Sequence, residues 1–393
     1  MKSFAVVLVC YNRLGGVRRL LKSLETADYA GRNDIHLIFS IDRSGSDEIE
    51  QFAKEYTWKF GEKHIRTFPE RQGLKKHILS CGDFTEQYDI VTILEDDIYL
   101  SSSFYRYAYA AADFYFDDDN VAGISLYGFQ KNWLDWVVRF EPQKYGEFDT
   151  YFMKIAQSWG EVWTNRKWAA FKEWLKDNED FKKDNEDVPY ALLTFPESSW
   201  LKYHDKYLIK ADKYFVYPYY SYSTNFSDTG EHANFCTTDH QVELMYGKTE
   251  FKFPEFNEKS IKYDQYMNRE GLEEYLGVKK EDLCVDFWGT KPKSDKRYLL
   301  SIDFKPYKAV KSYQLSLRPI EMAVINGIKG NGIYLYDTFE KADGKRFNGK
   351  FRRYKYSIRA GESKKIRDFA LWLRVYDLTV RIKGKINRKI KKS

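Results

Sequence analysis

Between residues 4 and 129, short apolar runs alternate with stretches of helical spacing, and this alternation restricts the chain to few folds. The runs FAVVLVCY (4–11), IHLIFSID (35–42), YDIVTILEDD (88–97) and VAGISLYGF (121–129) read as buried strands, with a shorter strand at HIRTFPE (64–70). Between them, GGVRRLLKSLETA (15–27) sets Val17, Leu20, Leu21 and Leu24 on one helix face. SDEIEQFAKEY (46–56) opens with a serine and acids, as helix starts do. GLKKHILSCGDF (73–84) and SSFYRYAYAAADFYF (102–116) supply two further helices. This β-α-β-α order predicts an α/β fold built on an open, mostly parallel sheet with flanking helices.

A chain of 393 residues allows two or three domains. Residues 1–250 are expected to form the main domain, with a first half at 1–130 and a second at 131–250. Residues 251–365 are expected to form a smaller α+β region, in which LRPIEMAVINGIKG reads as helix and NGIYLYDTF as strand. Residues 366–393 form a basic tail, where Leu371, Val375, Leu378, Ile382, Ile386 and Ile390 recur at helical spacing. The last 13 residues hold seven of the basic side chains and no acid; without them 57 bases face 58 acids. The net charge of +6 therefore resides in the tail, which argues against nucleic-acid binding by the body.

Cys10, Cys81, Cys236 and Cys284 are far apart and form no C-x-x-C pair. This reads as a reducing compartment, not a disulfide framework or a cysteine zinc site. The seven-residue run FAVVLVC reads as a first strand, not a signal peptide, and no run is long enough to span a membrane. Aromatic residues make up 18% of the chain and 32 residues are tyrosines, a side chain suited both to cores and to sugar faces.

In open α/β sheets, ligands bind outside the carboxyl ends of the strands. Asn12 with Arg13, Asp42, and the triplet Glu95-Asp96-Asp97 all fall at such ends. Adjacent carboxylates in a cleft suit a hard divalent cation, which can bridge them to a diphosphate. The competing cluster Asp117-Asp118-Asp119 follows a helix with no apolar strand leading into it, and reads as a solvated turn.

Five segments in order, LVCYNRLGGVRRLLKSL, FSIDRSGSDE, ILEDDIYLSSSFYRY, DDDNVAGIS and SWGEVWTNRKW, resemble nucleotide-sugar glycosyltransferases of the GT-A fold. The resemblance is to bacterial family-two-like enzymes and to N-acetylglucosaminyltransferase I, and it covers about residues 1–235. It implies that 1–130 is a nucleotide-sugar half and 131–250 an acceptor half. Arg13 and Asp42 would lie at the uridine, Glu95 and Asp96 would face the ribose and sugar, and Asp97 would hold Mn2+ or Mg2+. Lys75 or His77 would help hold the donor, and His232, in YSTNFSDTGEH, would reach the metal or phosphate.

An inverting enzyme also needs a base for the acceptor hydroxyl. Where the bacterial relatives place an aspartate before Ser-Trp, this chain has Ser198, so Glu197 is the expected base, with Asp205 and Glu161 as alternatives. The implied enzyme is a hexosyl- or N-acetylhexosaminyltransferase, using a UDP-sugar and a glycan or lipid-linked acceptor in bacterial surface polysaccharide synthesis. The alternatives are a sugar nucleotidyltransferase or a non-catalytic sugar-binding protein. The basic tail suits an anionic membrane surface, which implies a cytoplasmic protein peripheral on the inner face of the membrane.

Overall fold

The computed structural model describes residues 1–228, 238–342, 352–358 and 363–390. Its first elements are β1 (Phe4–Cys10), α1 (Leu14–Glu25), β2 (Ile35–Ile41), α2 (Glu48–Glu55), β3 (Lys63–Thr67), α3 (Leu74–Gly82), β4 (Ile90–Glu95), β5 (Ile98–Leu100), α4 (Phe104–Phe114) and β6 (Val121–Ser125). A hairpin of β7 (Lys131–Asn132) and β8 (Asp135–Arg139) follows, then β9 (Thr150–Met153), β10 (Glu161–Thr164), α5 (Asn165–Asp177), α6 (Tyr190–Leu193), α7 (Leu201–Lys210), β11 (Tyr214–Pro218) and β12 (Ser223–Asn225). The remainder comprises β13 (Lys262–Tyr263), α8 (Glu273–Leu276), β14 (Leu283–Val285), β15 (Tyr298–Ser301), β16 (Tyr307–Tyr313), α9 (Met322–Ile325), β17 (Ile333–Lys341), α10 (Arg352–Ile358) and α11 (Ser363–Ile390).

Nine strands form the large sheet, in the order β13-β9-β11-β6-β10-β4-β1-β2-β3. Strands β3, β2, β1 and β4 run parallel, while β10 runs antiparallel to both β4 and β6. This is the open, mostly parallel sheet expected from the sequence. All seven residues of β1 are buried, because helices cover both faces of a central parallel strand. Each such aliphatic side chain contributes about 1.5–3 kcal/mol. The apolar face of α1, Val17, Leu20, Leu21 and Leu24, is buried as its spacing predicts. The run expected to be helical in LRPIEMAVINGIKG shrinks to the single turn of α9; glycines at 327 and 330 leave little to extend it. The Asp117–Asp119 cluster is a turn, and Arg166 at the start of α5 pairs with Asp119 at 2.6 Å.

A second sheet, β14-β15-β17-β16, has its own apolar core. The two units interlock. Residues 262–263, well past the composition change at 251, supply β13 to the edge of the large sheet beside β9. Val138 of the hairpin is buried in the second core. Tyr263 donates its hydroxyl to buried Glu321, and Arg318 pairs with Glu141 at 2.8 Å.

Helix α1 approaches the end of β4 closely enough that only glycine fits at position 16. A Cβ there would lie 2.5 Å from the Asp96 carbonyl oxygen. Gly16→Ala is therefore expected to push α1 away from β4 and destabilise the fold by about 1–3 kcal/mol. Denaturant unfolding checks this, with Gly15→Ala as the control, since nothing lies within 4 Å of a Cβ at Gly15.

Candidate functional site

The parallel registers Val9↔Glu95 and Cys10↔Ile41 bring the carboxyl ends of β1, β4 and β2 to one level. A pocket of about 340 Å³ opens there. Arg13, Asp42, Glu95, Asp96 and Asp97 all line it, and so does His77. The chain turns sharply after β4. Asp96 and Asp97 occupy that turn, and β5 then pairs with β12 in a small ribbon. The ribbon delivers Asn225, Ser227 and Asp228 to the pocket's other wall.

The acids share one cation unequally. Arg13, at the start of α1, pairs with buried Asp96, and its Nη1 lies 3.4 Å from Asp97 Oδ2. Burial pulls the Arg13 pKa down, but the Asp96 and Asp97 charges outweigh burial and raise it. Burial raises Asp96 to about 6 against the pull of Arg13. Burial, with the charges of Asp97 and Asp96 added, raises Glu95 to about 8. Asp97 Oδ1 is buried and has no hydrogen-bond partner among the described residues. An orphaned carboxylate oxygen among further acids fits a hard divalent cation with oxygen ligands.

Asp42 is occupied with backbone. Its carboxylate accepts from the N–H groups of Arg43 (2.8 Å), Gln72 (2.7 Å) and Gly73 (2.9 Å). It thereby ties the end of β2 to the loop that starts α3, where Gly73 takes a left-handed φ of 74°. His77, buried one turn into α3, lies 2.6 Å from Ser40 Oγ, and burial lowers its pKa to about 4, so the ring is neutral at pH 7.

Lys75 and Glu197 do not join this group. Both line a second cavity of about 590 Å³, which adjoins the first at Gly73 and Leu74. Lys75 points along α3 onto the Tyr203 ring, 3.6 Å from its centre. Glu197 is 74% exposed and pairs at 3.2 Å with Lys202 of the first turn of α7. Asp205 is buried under the sheet and accepts from the Ala156 N–H at 2.7 Å. Glu161 is buried in β10, with neither carboxylate oxygen hydrogen-bonded among the described residues. His232 lies outside the described residues.

Four pocket residues carry no sequence signal of their own: Arg71, Trp159, Asp228 and His240. Arg71 lies over the ring of Tyr11, which also lines the pocket. His240 packs on Trp159 with ring centres 4.4 Å apart, and the Asp97 charge acts on it. Burial nevertheless lowers its pKa. Asp228 pairs with Arg19. Asp228 and Trp159 lie inside segments that stand out in the sequence, but only the fold selects them from their neighbours.

Residues 5–170 match the family model described as glycosyl transferase family 2. No curated protein matches the chain. Among solved structures, S. aureus TarS 1–349 in complex with UDP-GlcNAc is 18% identical, with a TM-score of 0.38 over 59% of this chain and 60% of that one. The mannosyltransferase PcManGT from Pyrobaculum calidifontis, in complex with GDP-Man and Mn2+, is 13% identical, with a TM-score of 0.31 over 44% of this chain and 46% of that one. GalNAc-T7 with UDP, GalNAc and Mn2+ is 12% identical, with a TM-score of 0.38 over 56% and 43%. The chain thus spans about 60% of the TarS chain it matches. Together, the family match and the nine-stranded sheet make this the GT-A fold.

Burial holds the Glu161 pKa well above its ordinary 4.5, and the neighbouring Glu95 and Asp205 charges raise it further. The unfolded chain releases this proton above about pH 4.5, whereas the folded chain keeps it. Glu161 therefore costs stability increasingly as pH rises from there towards its folded value, by at most about 1.4 kcal/mol per pH unit. Glu161→Gln is expected to gain on the parent between pH 5 and pH 8. Urea midpoints at the two pH values measure the difference, and a parallel shift of both proteins would refute it.

Proposed function

We propose, from the match of residues 5–170 to the glycosyl transferase family 2 model, that the pocket binds a nucleoside-diphosphate sugar whose sugar passes to a hydroxyl of a glycan or lipid-linked acceptor. The observation that carries this reading is the buried Asp97 Oδ1, without a hydrogen-bond partner among the described residues, in an acid-lined pocket at the strand ends. Asp97, with His240 beside it in the role expected of His232, would hold a manganese or magnesium ion, which offsets the diphosphate charge when bound. Arg13 fixes the Asp96-Asp97 turn, and Asp42 fixes the loop at Gly73, so both act by holding the pocket's walls. A uridine nucleotide remains the donor expected from the family resemblance.

In an inverting transfer, the acceptor oxygen bonds to the anomeric carbon as the bond to the diphosphate oxygen breaks, and a base takes the hydroxyl proton. Glu197 remains the proposed base, because its cavity adjoins the donor pocket and would present an acceptor at Gly73 and Leu74. Its place outside the donor pocket favours a second reading, a sugar-nucleotide binder without transfer activity.

Helix α11 supports a membrane-surface role in surface polysaccharide synthesis. Phe369, Trp372 and Tyr376 stack along one exposed face, with ring centres 5.9 and 5.2 Å apart. Interfacial helices present such aromatic faces together with basic residues, each worth about 1 kcal/mol near anionic lipid. No helix among the described residues is long and apolar enough to cross a membrane.

Titrating the chain with UDP in the presence and absence of Mn2+ is expected to show metal-dependent binding that Asp97→Asn weakens by about tenfold or more, roughly 1.4 kcal/mol. Unchanged binding in that variant would remove Asp97 from the site. Glu197→Gln is expected to leave UDP binding intact and to lower sugar transfer by about 100-fold, within the range for lost base catalysis. Binding with neither donor hydrolysis nor transfer in the parent protein would establish the second reading. Removal of residues 363–393 is expected to abolish sedimentation with anionic vesicles, and equal sedimentation would refute the membrane role.

A further inference from the structure

At the opposite end of the sheet from the pocket, His36 stands at the start of β2 and His64 at the start of β3, with Glu62 just before β3. Their donor atoms converge. His36 Nδ1 lies 3.3 Å from His64 Nε2 and 3.8 Å from Glu62 Oε2, and His64 Nε2 lies 3.5 Å from the same Oε2. A triangle with these sides has a point about 2 Å from all three corners, the length of zinc–nitrogen and zinc–oxygen bonds. We propose that His36, Glu62 and His64 form a zinc site with an open fourth position.

The side chains are held for this. The two imidazoles stack with centres 5.6 Å apart at 23°, and His36 also packs on Tyr88 at 4.7 Å. Two imidazoles and one carboxylate suit Zn2+, Ni2+ or Cu2+, whereas the carboxylate-rich pocket at Asp97 suits Mg2+ or Mn2+. The two sites therefore differ in metal preference as well as in place.

The ion would join two neighbouring strands. β3 is the last strand of the sheet, and its outer edge is bare of strand partners among the described residues. A metal bound across His36 and His64 clips that edge strand to its neighbour, and the open fourth position is left to water.

The test is a calorimetric titration of the full chain with Zn2+ in excess Mg2+, which occupies oxygen sites and competes poorly for imidazole. One zinc per chain is expected, with X-ray absorption at the zinc edge showing two imidazole ligands. His36→Ala, His64→Ala and Glu62→Ala are each expected to weaken binding by about tenfold or more, and Asp97→Asn to leave it unchanged. Glu62 is an exposed loop residue, so its variant keeps the test independent of strand folding. The absence of zinc binding, unchanged affinity in all three variants, or loss of binding in Asp97→Asn instead would overturn the assignment.

Discussion

The register in which β1 pairs with β2 and β4 sets the position of every pocket group. Parallel pairing with no bulge ends three strands at a common level, so Arg13, Asp42 and the triplet meet although they lie up to 84 residues apart. A slip of one residue in β4 would turn its buried set to the opposite face and carry Glu95 with it. The apolar content of these strands makes such a slip expensive. The chemistry of the pocket thus rests on the same burial that drives folding.

Electrostatics then works against that burial. Of the three adjacent carboxylates at the end of β4, Asp96 and Asp97 pair with Arg13. Burial raises Asp96 only to about 6, so it stays ionised beside Arg13 at pH 7, whereas Glu95, raised to about 8, keeps its proton and lowers the negative charge of the site. Behind them, Glu161 adds a further carboxyl group that burial keeps protonated. Such an arrangement favours any ligand that brings positive charge into the pocket.

Much of this was legible in the sequence because it follows from period and position. Eight of the nine elements from β1 to β6 other than β5 are long runs of clear periodicity, and the remaining one, β3, is short but still visible in HIRTFPE. The strand-end polar groups follow from the same pattern, which is why Arg13, Asp42 and the triplet converge. Lys75 and Glu197 depart because a side chain's direction depends on tertiary neighbours, here Tyr203 and Lys202, that spacing does not reveal. His240 and Arg71 reach the pocket from segments with no regular period, so only the folded chain brings them there. The His36–Glu62–His64 triangle was hidden for a related reason, since residues 26 and 28 apart become neighbours only through the β2–β3 register.

The interlock between the two sheets bears on how the protein can be handled. Strand β13 covers one side of β9, and Val138 of the hairpin belongs to the second core. A fragment trimmed to the family-matching segment, or to residue 250, would bare the edge of β9 and leave the hairpin's apolar side chain in water. Such an edge invites pairing with other chains. The pocket-bearing portion is therefore not an excisable module: the chain changes composition at 251, but the large sheet continues past it to β13, and the packing makes each unit a part of the other's wall.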